Sequence, residues 1–159
     1  MSFDSNATII LKIYSLLTLI CCIGAAIFHL IALGLYADRT KESTPTETYI
    51  ALGFTSGACV LMAFFSFFHV LRLLISSLRS NYSKFNNVMW CLYVAISGFT
   101  MGCGTLESTM TGMLYRGQRS GNNVQIVDSL FASSIVVSGV ALMAVMDGLM
   151  SRANQKSIC

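Results

Sequence analysis

The chain has 159 residues, 55% of them hydrophobic and only 11% charged, with a mean hydropathy of +0.69. A soluble domain carries about 25% charge, so this composition specifies an integral membrane protein and leaves no room for a soluble catalytic domain. The net charge of +3 comes from ten Lys and Arg spread over loops and helix ends. That is ordinary beside anionic headgroups and, without a basic cluster, argues against a nucleic-acid partner.

Four apolar runs organise the chain. Helix 1 is expected at about 8–36, after the polar start MSFDSNAT. Its apolar run exceeds the roughly 7–15 residues of a signal-peptide core, so it is expected to remain as a helix, with Lys12 snorkelling to the near interface. The loop ADRTKESTPTET, residues 37–48, holds the only proline, Pro45.

Helix 2 is expected at about 48–78. It opens with Gly53 and Gly57 at GxxxG spacing and turns bulky at Phe64, Phe65, Phe67 and Phe68. That shift predicts a close helix crossing near one membrane face and a splayed, aromatic-filled half near the other. Trp90, beyond the polar turn at 79–87, is an interfacial anchor.

Helix 3, at about 88–115, carries a single carboxylate, Glu107, deep in an otherwise uncharged run. A lone Glu facing lipid is costly, so Glu107 is expected to point at protein. Gly98 and Gly102 lie four apart, and Gly104, Ser108 and Gly112 continue that spacing on a neighbouring track. Such residues let a second backbone come close. After the turn RGQRSGNN, helix 4 is expected at about 125–150, followed by a short frayed tail.

These readings give an all-α fold in one domain, residues 1–159: a four-transmembrane-helix antiparallel bundle. With both termini cytosolic, Lys12, Arg72, Arg79, Lys84, Arg152 and Lys156 lie inside, against Arg39, Lys41, Arg116 and Arg119 outside. That six-to-four split sets the expected orientation. The sequons at Asn6 and Asn81 then lie close to the membrane on the cytosolic side and are expected to stay unmodified.

Antiparallel threading converts sequence position into depth. His29 and Glu107 fall in the outer half; His69, Arg72 and Asp147 fall near the inner face. The chain thus offers two polar layers, His29 with Glu107 and His69 or Arg72 with Asp147, each able to neutralise itself inside a bundle. Ser97, Thr100, Gly104 and Thr111 share the Glu107 face, while Cys22, Ala25, Ala26 and Ala32 share the His29 face.

Structural pairing is the leading reading of these residues. A proton or cation path is the alternative, and only hydroxyls and thiols lie between the layers. A bis-histidine haem is disfavoured, because His29 and His69 sit roughly 20 Å apart along the normal at about 1.5 Å per residue. No catalytic triad, metal-ligand spacing or phosphate loop is present. Neither catalytic residues, nor cofactor, nor metal is expected. Five of the six cysteines lie in apolar runs and no CxxC pair occurs, which predicts no disulfide framework. Cys159 does not fit a prenylation box. No internal repeat is claimed: helices 1–2 and 3–4 form two hairpins whose polar residues do not line up as copies.

In length, four-helix plan and short connections the chain resembles the MARVEL-like tetraspan proteins, including the small snakeskin-type proteins of septate junctions. The run LKIYSLLTLICC in helix 1 and VSGVALMAVMDGLMSR in helix 4, with Asp147 near its inner end, are similar. The resemblance implies membrane apposition, junction assembly or vesicle trafficking, in a plasma, secretory or vesicle membrane. Claudins and connexins differ by their loop cysteines, tetraspanins by a large extracellular domain, and MAPEG enzymes by an Arg and Asn-Glu pattern missing from helix 2.

The expected function is lateral helix–helix association without catalysis, with another copy or a larger membrane protein as partner and the bilayer as surroundings. The alternatives are an auxiliary channel or transporter subunit, a minimal ion or proton pathway, and, further behind, a small enzyme acting on lipophilic substrates.

Overall fold

A computed structural model describes residues 3–39, 46–74, 83–117 and 124–156. These form α1 (Phe3–Arg39), α2 (Thr46–Leu74), α3 (Ser83–Gly117) and α4 (Val124–Lys156), with no strand among the described residues. Each contains a stretch long and apolar enough to cross a membrane: Thr8–Ala37, Leu52–Leu74, Asn87–Met113 and Asp128–Asn154. Within a bilayer a helix satisfies every backbone polar group internally, which is why apolar runs of this length adopt it. Pro45, Asn81, Cys159, residues 75–78 and most of the polar turns lie outside the described residues.

The ends differ from the sequence expectation. α1 begins at Phe3, so the polar start through Thr8, Asn6 included, is helical, and α3 begins at Ser83. The tail after Met150 stays helical through Lys156. Arg, Ala, Gln and Lys are good helix formers, and Arg152 is held by stacking over the Trp90 ring, 4.4 Å from its centroid.

The inward stripes follow a seven-residue repeat. On α1, Leu11, Thr18, Ala25 and Ala32 are buried, as are Ser15, Cys22 and Tyr36. On α2 the series Leu52, Cys59, Ser66 and Thr55, Met62, His69 are buried. Buried Tyr93, Thr100 and Glu107 do the same on α3, and Leu130, Val137, Ala144 and Ser151 on α4. A straight helix turns every 3.6 residues, so a strict 3.5-residue seam stays inward only if the helices wrap around one another with a left-handed supercoil.

The packed neighbours run round the bundle in order, α1 with α2, α2 with α3, α3 with α4 and α4 with α1, which leaves α1 opposite α3 and α2 opposite α4. The core packs Cys22, Met62, Tyr93, Ala141 and Ala144 in one cluster and the smaller Ala25, Ala26, Cys59 and Val137 in the next. The outward faces carry Ile, Leu, Phe and Met, among them Ile10, Ile13, Phe54 and Met113. With lipid as solvent, such faces cost nothing to expose.

Small residues divide between the two environments, which corrects the sequence reading. A Cβ at Gly104 would lie 2.7 Å from Ser138 Oγ and 3.1 Å from the Ser134 carbonyl oxygen, and one at Gly112 would lie 3.3 Å from the Phe131 ring. Ser108, half-buried beside them, donates to the Thr105 carbonyl at 2.8 Å. Around Gly53, Gly57, Gly98 and Gly102, by contrast, an added Cβ meets nothing within 4 Å. These four face away from the bundle, so the expected close crossing at Gly53 and Gly57 is not made within this chain.

The aromatic half of α2 is also turned around. Phe64, Phe67 and Phe68 point outward and touch one another edge to face. Only Phe65 leans against the core.

Candidate functional site

Two polar layers interrupt the apolar core, and each draws one side chain from every helix. In the first, His29 Nε2 of α1 lies 3.6 Å from Glu107 Oε2 of α3, with both residues sealed from the surface at 0% and 2% exposure. Thr55 of α2 lies against Glu107, and Ser133 Oγ of α4 lies 3.2 Å from His29 Nδ1.

Ser133 Oγ is also within donating distance of the Leu130 carbonyl, at 2.8 Å, and His29 Nε2 faces Glu107 at ion-pair rather than hydrogen-bond distance. With imidazole and carboxyl both neutral, or with His29 charged and Glu107 an anion, the layer is neutral, the arrangement that low-dielectric surroundings favour.

In the second layer, Ser15 of α1 donates to Asp147 Oδ1 at 2.5 Å and Tyr93 of α3 donates to Oδ2 at 3.1 Å. His69 Nε2 of α2 approaches the same Oδ2 at 3.6 Å. Two hydroxyl donors suit an acceptor-only carboxylate. Of the two side chains considered for this layer, His69 makes the contact with Asp147. Arg72 is also buried and adds its positive charge near His69. Close by, Trp90 Nε1 donates to the Gly148 carbonyl at 2.7 Å, and a Cβ at Gly148 would lie 2.6 Å from Val94 Cγ2. At Gly104 and at Gly148, α3 and α4 come so close that an added Cβ would collide with the facing helix.

The layers also expose a repeat, correcting the expectation that the hairpins show no correspondence. Ser15, His29, Thr55 and His69 of the α1–α2 hairpin match Tyr93, Glu107, Ser133 and Asp147 of the α3–α4 hairpin, each 78 positions later. Other buried positions follow the same offset, including Cys22 with Thr100, Leu52 with Leu130, Ser56 with Ser134 and Cys59 with Val137. Within every helix the two layer residues stand 14 positions apart, two turns of the seven-residue repeat and roughly 21 Å of rise. By position in the chain, α1 thus corresponds to α3 and α2 to α4. His29–Glu107 spans one diagonal and His69–Asp147 the other.

Sequence reasoning named the five ionisable residues and missed their hydroxyl partners Ser15, Thr55, Tyr93 and Ser133. Their signal was available: each stands 14 positions from an ionisable residue on the same helix. Among the described residues no three His, Cys, Asp or Glu side chains converge on one point. The five described cysteines are free, with Cys22 and Cys59 buried.

Four apolar helices around two buried polar layers define a multi-pass, four-helix membrane protein. No protein-family model, curated protein or solved structure matches the chain.

Proposed function

We propose that this chain is a non-enzymatic membrane-organising protein that acts by lateral helix–helix association, in assemblies of the junction or vesicle kind, with both termini cytosolic. The supporting observation is a groove of about 540 Å³ on the outer surface of α2 and α3, lined by Ile50, Gly53, Phe54, Gly57, Ala58, Leu61 and Phe99. Its floor is the glycine pair at which an added Cβ would meet nothing within 4 Å. In lipid, where burial of apolar surface gives no advantage, helices associate through close backbone approach at small residues. A glycine floor walled by Phe54 and Phe99 provides that.

The test is self-association of the full chain in lipid nanodiscs or mild detergent, read by co-purification of two differently tagged copies. Wild-type copies are expected to co-purify, and Gly53→Leu with Gly57→Leu to reduce recovery at unchanged yield. A wild-type chain that stays monomeric and captures no membrane protein would refute the reading.

A second reading, an ion or proton pathway or a channel subunit, draws on the buried His29 and Glu107 facing each other at 3.6 Å. Proton flux into liposomes containing the purified protein, lost in Glu107→Gln, would favour it.

A further inference from the structure

The two polar layers locate the bundle in a bilayer. Midway between them along the four helices lie Cys22, Met62, Thr100 and Val140. Each falls within one residue of the centre of its helix's spanning stretch, Thr8–Ala37, Leu52–Leu74, Asn87–Met113 or Asp128–Asn154. The bilayer midplane therefore passes between the layers, with hydrocarbon reaching about 15 Å to either side of it.

At about 1.5 Å per residue, ten positions from the midplane arrive at that boundary. At the end of the bundle where α1 begins, this level carries Lys12, Arg72 and Trp90, with Arg152 two positions beyond it. At the opposite end the same level carries Ala32, Leu52, Met110 and Leu130. Charges at that opposite end lie further out and are mixed: the described helices place Asp38, Glu47 and Asp128 there with Arg39 and Arg116. At the first end they place Lys12, Arg72, Lys84, Arg152 and Lys156 against Asp4 alone, so every helix brings a cation to one end.

Arg152 is held at its level by neutral groups. Its guanidinium donates to Asn87 Oδ1 at 3.1 Å and stacks over the Trp90 ring. Neither contact cancels its charge. Lys12 is half-buried, its stem along the bundle, and Arg72 adds a third positive charge from a buried position. We propose that this end of the bundle is a docking surface for the headgroups of anionic phospholipids, with Lys12 and Arg152 meeting the lipid anions and Trp90 fixing their depth. A cation at this boundary lies where lipid phosphates begin, and each one attracts anionic lipid over a range set by the Debye length. A soluble acidic partner would have to displace the headgroups to reach the same depth. The proposal does not depend on copies of the chain associating with one another.

The full-length chain in phosphatidylcholine nanodiscs, with trace spin-labelled phosphatidylserine or phosphatidylcholine, tests it. The motionally restricted fraction of each label reports which lipid the protein holds. Wild type is expected to favour phosphatidylserine by about fivefold at low salt, the effect of one cation near the surface, and to lose that preference as sodium chloride is raised. Lys12→Gln with Arg152→Gln is expected to bring the preference to within about twofold of none. Arg39→Gln with Arg116→Gln, which removes the helical cations of the opposite end, is expected to leave it unchanged.

Equal retention of the two lipids by wild type would overturn the proposal, as would a preference that high salt leaves intact; neither result requires a variant to fold. A preference that survives Lys12→Gln with Arg152→Gln, or that falls as far in Arg39→Gln with Arg116→Gln, would overturn it too.

Discussion

The imidazole of His69 lies flat on the phenol ring of Tyr93, with centroids 4.6 Å apart and planes inclined by 17°. The stack joins α2 to α3 and leaves the Tyr93 hydroxyl pointing at Asp147 on α4. One aromatic side chain, wholly buried, thus sets both groups that approach Asp147 Oδ2. Phe at this position keeps the stack and loses the donor, so Tyr93→Phe is expected to destabilise the bundle by about 1 kcal/mol. Tyr93→Ala is expected to cost about 3–5 kcal/mol through the cavity it leaves. Reversible unfolding in mixed detergent micelles measures both; equal losses would show that the hydroxyl, not the ring, carries the contribution.

At the other depth, truncating one member of the His29–Glu107 pair strands the second. Glu107→Ala is expected to lower stability by about 3 kcal/mol and Glu107→Gln by about 1–2 kcal/mol, since the amide keeps volume and polarity. Replacing both partners, as in His29→Leu with Glu107→Leu, is expected to recover part of the loss because neither polar group is left alone. A double variant worse than Glu107→Ala, in the same unfolding measurement, would contradict a pairing role.

Glycines on α3 should separate by face. Gly104→Leu drives a side chain into Ser138 and the α4 backbone, with an expected cost of about 1–3 kcal/mol or more. Gly98→Ala and Gly102→Ala are expected to stay within about 0.5 kcal/mol of wild type, because nothing stands in the way. Comparable losses at all three positions in thermal unfolding would place Gly98 and Gly102 in contacts within the bundle.

Thiol labelling reads the same geometry without altering polar groups. Cys91 faces outward, whereas Cys22 and Cys59 are buried in the core clusters. A membrane-permeant maleimide is expected to modify Cys91 in the folded protein, and Cys22 and Cys59 only as fast as the bundle opens, as resolved by peptide mass spectrometry. Rapid labelling of Cys59 in the native state would reveal a solvated path through the core.

Much of this architecture was legible from residue order. The apolar runs reveal four helices because length in lipid leaves few alternatives, and antiparallel threading brings His29 level with Glu107 and His69 level with Asp147. Glycine spacing was less informative. Gly53 and Gly57 have the same four-residue period as Gly104 and Ser108, and spacing alone cannot tell a face that meets another helix from one that meets lipid. Phe64 and Phe68 misled for the same reason: in a membrane, bulky apolar residues are at home on the outside. The hairpin correspondence is hard to read from residue order because, at the ionisable positions, it is one of position and burial and not of residue type. His29 matches a glutamate, His69 an aspartate and Ser15 a tyrosine, so a search for copies passes over residues that are complements.

The sorting of buried groups by hairpin bears on how the protein is made. As synthesis proceeds, α1 and α2 enter the bilayer carrying His29, His69 and Arg72 before any carboxylate of α3 or α4 exists to receive them. Until the ribosome has delivered Glu107 and Asp147, the half-made product is a polar intruder in hydrocarbon. Either the insertion machinery shelters it until the second half arrives, or quality control finds it first. A premature stop after α2 would therefore yield a fragment marked for degradation by its own unmatched imidazoles.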